Sequence, residues 1–152
     1  MKHQKVTLEN FSIVGISIRT TNTEGQAAKD ISQLWGRFFK EQILQRISNR
    51  ASDDIYCIYT DYESDYRGKY TTILGCRVLD NENAVEGLTK IEIQQSEYLQ
   101  FSAVGVENVG HVWKHVWETD YPRKYTADFD VYEAGESEMD KMRITTYLSV
   151  NK

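Results

Sequence analysis

Proline is almost absent: Pro122 stands alone in 152 residues, and no stretch reads as a long linker or low-complexity tail. One domain spanning residues 1–152 is therefore expected. No apolar run approaches the ~20 residues that cross a bilayer. The start, Met1-Lys2-His3-Gln4-Lys5, has no apolar segment behind it, so no signal peptide is expected either. Cysteine is scarce, with only Cys57 and Cys76, both among apolar neighbours. Without an export signal they read as reduced core thiols of a cytoplasmic protein. Positive charge is also short: 18 Lys and Arg face 23 Asp and Glu, for a net charge of −5. A protein that grips a phosphate backbone needs a basic stripe, so direct nucleic-acid binding is not expected. Nor are there ~50 residues to spare for a helix-turn-helix.

Familiar catalytic patterns are missing too. There is no nucleophile elbow, metalloprotease helix, phosphate loop or dinucleotide fingerprint. Glu107, His111 and His115 have metal-like helical spacing, but they lie opposite the apolar stripe and read as a solvated face. Asp61, Glu63 and Asp65 lack the further oxygen ligands and the loop glycine of a calcium site. No metal and no cofactor are expected.

What the chain does have is aromatic residues and an internal repeat. Ten Tyr and three Trp supply apolar area with polar tips. Phe11-Ser12-Ile13-Val14-Gly15-Ile16 recurs as Phe101-Ser102-Ala103-Val104-Gly105-Val106, each read as a short strand with glycine at its end. A helix is expected after each, about 26–48 and 107–118. The stripes Ile31, Leu34, Trp35, Phe38, Phe39 and Val109, Val112, Trp113, Val116, Trp117 follow the helical period. Trp35 and Trp113 take matching places. Arg19 to Gly25 is expected as a loop with capping candidates. Strands are expected at 55–60, 70–78, 125–133 and 142–150, with further strands at 5–10 and 88–94. Asp80 to Gly87 would connect the halves. Each half, about 5–79 and 88–150, then reads strand, strand, helix, strand, strand. The expected fold is α+β: a curved antiparallel sheet with two helices on one side and a groove between pseudo-symmetric halves.

These segments resemble the GyrI-like small-molecule-binding domain, also called the AraC-type effector-binding domain of bacterial transcription activators. The resemblance covers nearly the whole chain. It is carried by 11–19, Ile31-Ser32-Gln33-Leu34-Trp35-Gly36-Arg37-Phe38-Phe39, 55–65, Gly68 to Val78 and 123–132. It implies a groove for small, often aromatic and sometimes cationic molecules, as in multidrug sensors. It also implies two other roles found in the family: hydrolysis of electrophilic natural products, and inhibition of gyrase. The family's Phe-Glu-x-Tyr motif reads Phe129-Asp130-Val131-Tyr132 here, and the shorter acid sets its carboxylate back from the groove.

Strand alternation puts Asp130 and Tyr132 on one face. With Trp35, Trp113, Tyr56 and Tyr147 they form the expected ligand-binding set. Because the position matching Asp130 is Cys57, the groove is expected to be acidic on one side only. The leading expectation is a module that senses or sequesters a hydrophobic compound, cationic in one version, linked to transcription or drug response. One alternative is a hydrolase with Asp130 as general base. The other is an inhibitor that acts on a protein partner.

Overall fold

Runs of Val, Ile, Thr, Tyr and Phe with period-two alternation build eight strands, and two 3.6-period stripes build the helices. The computed structural model describes residues 1–65, 67–79 and 87–151. In chain order the elements are β1 (Gln4–Leu8), β2 (Phe11–Thr21), α1 (Gln26–Lys40), β3 (Ile55–Thr60), β4 (Lys69–Val78), β5 (Thr89–Ile93), β6 (Ser96–Val104), α2 (Val109–Glu118), β7 (Ala127–Tyr132) and β8 (Arg143–Val150). All strands join one open antiparallel sheet, ordered β1-β6-β8-β7-β3-β4-β2-β5. This is the expected α+β architecture, with two helices on one face. Among the described residues no helix is long and apolar enough to cross a membrane.

The halves meet in the middle, where β3 pairs with β7. Its register sets Cys57 opposite Asp130, the two positions matched by the repeat, so the pseudo-twofold axis passes through that pair. The outer strands are exchanged: β1 pairs with β6 of the second half, and β5 pairs with β2 of the first. The links Glu9-Asn10 and Gln94-Gln95 each allow only three Cα steps, at most roughly 11 Å. The sheet must therefore curl until its two edges approach. There Asn10 Oδ1 accepts from the Gln95 backbone N–H at 2.5 Å.

Curling lets the helix-free face bury its own core. Ile13, Ile58, Ile73, Ile93, Tyr98 and Phe129 pack there, drawn from both edges and the centre. The other face is covered by helices. Leu34 and Phe38 of α1 pack on Val14, Ile16, Cys57 and Leu74, while Val112 and Val116 of α2 pack on Phe101 and Leu148. A fully buried Leu or Phe contributes about 1.5–3 kcal/mol, so each helix is held by its stripe more than by its ends. Neither helix has a side-chain N-cap bond; Gly25 caps α1 in the left-handed region.

Three local expectations change. The first helix stops at Lys40 rather than near Ser48. Gln42 adopts φ 51, Ile43 N–H donates to Phe38 O at 3.0 Å and Gln42 N–H to Phe39 O at 3.2 Å. This is a Schellman stop without its usual glycine, and burial of Ile43 fixes it. Gly15 does not end a strand; it lies inside β2 opposite Gly75. A Cβ on Gly15 would lie 2.2 Å from Leu74 O, and one on Gly75 2.1 Å from Val14 O. Only glycine permits that approach. Finally, β2 continues to Thr21, so the expected loop is shorter. Most of the expected connector, 80–86, lies outside the described residues.

Candidate functional site

A cleft of about 390 Å³ opens on the helix face between the two halves. Small residues make the room: Ala27 and Ala28 at the start of α1 face Val109 and Gly110 at the start of α2. A Cβ on Gly110 would meet nothing within 4 Å. Tyr59 of β3, Tyr70 of β4 and Tyr62 of the intervening loop line the cleft, with Trp113 and Trp117 on the α2 side and Arg123 before β7. The rings form a continuous aromatic surface. Tyr59 meets Trp113 edge-on at 5.4 Å, and Tyr62 lies 5.6 Å from Tyr70.

Two buried carboxylates stand behind this surface on β7, both fully inaccessible. Alternation puts Asp128 and Asp130 on the same face. Asp128 is saturated: it accepts from Tyr62 OH at 2.7 Å, Arg123 Nη2 at 2.9 Å, and the Ser149 backbone N–H and hydroxyl at 2.7 and 2.9 Å. Its charge is cancelled by Arg123, whose side chain is 6% exposed. Arg123 also lies over the Tyr125 ring, 4.2 Å from its centroid, and Tyr125 holds a left-handed backbone, φ 56. Such a conformation persists only where its surroundings enforce it.

Asp130 differs. It accepts from Thr146 Oγ1 at 2.5 Å, Trp113 Nε1 at 3.1 Å and Tyr59 OH at 3.2 Å. Among the described residues no lysine or arginine pairs with it. Burial pushes its carboxyl up to about 6, although the bonds from Thr146, Trp113 and Tyr59 pull the other way. Burial first, and then the Asp130 charge, push the Cys57 thiol up to about 12, so Cys57 is an inert core thiol.

Of the residues expected from sequence, the structure brings Asp130, Trp113, Trp35 and Tyr132 to the helix face. Only Trp113 lines the cleft itself. Asp130 sits behind it, bonded to Trp113 and Tyr59. Trp35 packs edge-on against Tyr132 at 4.9 Å, beside the first-half core. Tyr56 and Tyr147 do not line the cleft. Both lie on the opposite face, stacked on either side of Phe129 at 5.9 and 4.8 Å. Their places on β3 and β8 are out of phase with Cys57 and Thr146, so the pleat turns them away. Sequence reasoning missed Tyr62, Tyr70, Trp117, Arg123 and Asp128. The signal for Asp128 was present, since it continues the Asp130, Tyr132 alternation. His111 and His115 have local partners, Asn108 Oδ1 and Tyr121 OH. Among the described residues no cluster suits a metal.

A pseudo-twofold sheet with an aromatic cleft between two helices defines a small-molecule effector-binding module. Residues 6–150 match the family described as Cass2, integron-associated effector binding protein, and the chain belongs to that family. YobU of Bacillus subtilis (strain 168), named as a candidate transcriptional regulator, is 27% identical over 145 residues, covering 91% of each chain. An integron cassette protein from Vibrio cholerae has a similar structure, with TM-score 0.74, 24% identity, and 98% of this chain and 95% of that one covered. The structure of SAV2435 bound to tetraphenylphosphonium is similar with TM-score 0.82, 23% identity, and 99% and 94% covered.

Proposed function

We propose that this chain binds a largely apolar organic cation in the cleft between α1 and α2, as the sensing or sequestering step of a transcription or drug response. One observation carries the reading. Asp130 is a buried carboxylate without a basic partner among the described residues, placed directly behind the aromatic surface. A ligand in the cleft meets the rings of Tyr59 and Trp113, whose donors point at that carboxylate. Donation to an anion leaves the rings more electron-rich, and each cation–π contact contributes ~0.5–2 kcal/mol. The cation in turn offsets the cost of an ionised buried acid. The cleft volume is at the low end of the range for drug-sized ligands, about 300–1,000 Å³. SAV2435 holds a lipophilic cation, which makes that ion the first probe for this chain.

The hydrolase alternative requires Asp130 to reach a water. Both of its oxygens are taken by Thr146, Trp113 and Tyr59 behind the cleft, so the geometry favours binding.

Thermal unfolding with tetraphenylphosphonium, matched neutral triphenyl compounds and organic acids tests the proposal. At ~100 times the dissociation constant, the ligand adds about 2.7 kcal/mol, or roughly 5–10 °C for a chain of this size. The rise is expected with the cation at pH 7.5. It should shrink below pH 6, as Asp130 takes up its proton, and disappear in Asp130→Asn. Equal stabilisation by the neutral compounds, or an unchanged response in Asp130→Asn, would sink the reading.

A further inference from the structure

The end of the cleft carries a polar group that the cation reading leaves unused. Arg123 lines the cleft, and its side chain is only 6% exposed. Its guanidinium has five N–H donors. Nη2 gives one to Asp128, and Nε, itself buried, has no partner among the described residues. Asp128 cannot take more, because Oδ1 already accepts from Ser149 and Oδ2 from Tyr62 and Arg123. An unmet buried donor on a charged group is destabilising. Structures rarely keep such a group without a purpose.

We propose that Arg123 is a second recognition point, donating to a hydrogen-bond acceptor on the ligand through the part of the guanidinium that Asp128 leaves free. Building on the cation reading, it narrows the ligand class to apolar aromatic cations that also carry a carboxylate, carbonyl or similar acceptor. Asp128, which anchors Arg123, and Asp130, which marks the cation end, are two residues apart on β7. Arg123 is paired with Asp128, and Asp130 has no basic partner among the described residues, so the two groups select opposite features of one molecule.

Three probes separate the contributions by calorimetry at pH 7.5. Tetraphenylphosphonium has the charge and no acceptor. (4-Carboxybutyl)triphenylphosphonium has both. Triphenylacetate has the acceptor and no cation. The expected order puts the carboxybutyl ion tightest, by about tenfold or more over tetraphenylphosphonium, the usual size of a charge-assisted hydrogen bond. In Arg123→Lys, which keeps the charge facing Asp128, that ratio should fall to about one. Side-chain NMR of the unmutated protein supplies a readout that does not depend on the variant folding. The Arg123 Nε–H signal should move downfield with the carboxybutyl ion and stay with tetraphenylphosphonium. Equal affinity for both cations, or an Nε–H signal indifferent to the carboxylate, overturns the proposal. Binding of triphenylacetate that depends on Arg123, with neither phosphonium binding, would keep Arg123 and discard the cation reading. Binding of none of the three discards both.

Discussion

The two halves of this sheet are built to one pattern and filled with different chemistry. At three matched places on the paired central strands, β3 carries Ile55, Cys57 and Tyr59, while β7 carries Asp128, Asp130 and Tyr132. Cys57 and Asp130 face each other across the pseudo-twofold axis. The two tryptophans diverge in the same way. Among the described residues Trp35 packs on Tyr132 with no hydrogen bond from its indole, whereas Trp113 turns its N–H to Asp130. The first half thus supplies apolar packing and the phenols of Tyr59, Tyr62 and Tyr70. The second supplies the buried charges that Tyr59 and Tyr62 address, while Tyr70 donates to Asn22 of its own half. A symmetric frame has made one asymmetric site, with its polar cost confined to β7.

The largest effect should come from breaking the cancelled charge. Asp128→Ala leaves Arg123 charged and buried without its partner, and strips Tyr62 and the Ser149 N–H of an acceptor. Removing one member of a buried pair costs about 3–5 kcal/mol. Urea unfolding should show a loss of that size. Ile55→Ala, at the matched place in the first half, removes only partly buried apolar surface and should cost clearly less. Equal losses would mean that the two halves are energetically alike at this position, and the asymmetry argued here would fail.

Asp130 should behave in the opposite sense. Its carboxyl is raised from 3.8 to about 6, so the native protein holds a proton that the unfolded chain has already released. Below pH 3.8 both states are protonated and there is no cost. Between pH 3.8 and 6 stability falls as pH rises, and above 6 the full cost is present, about 3 kcal/mol as an order of magnitude. Asp130→Asn removes it. The amide can keep an acceptor towards Trp113, which only donates, and the Thr146 and Tyr59 hydroxyls can reverse roles to accept. The ligand-free variant should therefore be more stable than wild type by roughly 1–3 kcal/mol at pH 8, with the gain vanishing near pH 4. A loss of stability at pH 8 would show that the three donors outweigh the burial penalty, and would remove the reason for Asp130 to seek a cation.

Much of this frame was legible in the chain itself. The doubled Phe-Ser-x-Val-Gly segment, the two tryptophan-bearing stripes and the alternating strands gave the halves, the helices and the shared face of Asp130 and Tyr132. Partner choice at the edges was not legible, because β1 and β5 carry no pattern that says which half they join. The early stop of α1 was hidden because Gln42, not glycine, takes the left-handed position. Tyr56 and Tyr147 were misplaced by one step of pleat parity, which the composition of a strand buried on both faces does not reveal. The cleft's own lining escaped for a different reason. Tyr62 and Arg123 lie outside the strands, where periodicity has nothing to say. Tyr62 in particular sits in a hairpin whose acidic neighbours read as solvated.

The finest test of the asymmetry compares the two tryptophans. Trp35→Phe and Trp113→Phe delete the same group from matched helices, and both positions are partly buried. The packing loss should be similar, so the difference between the variants isolates the indole N–H. That group has an ionised acceptor in one half only. A hydrogen bond to a charged group is worth about 1.5–3 kcal/mol. The 3.1–3.2 Å contacts are long for a charge-assisted bond, so about 1 kcal/mol is the expected excess for Trp113→Phe at pH 8. The excess should shrink at pH 5, where Asp130 is protonated and accepts more weakly. The same variant loses a donor that lowers the Asp130 carboxyl, so the pH midpoint of cation binding should move upward, and Trp35→Phe should leave that midpoint in place. An excess of the same size at both pH values would mean that Trp113 serves Asp130 as packing alone, and the cleft's link to its buried charge would then run through Tyr59.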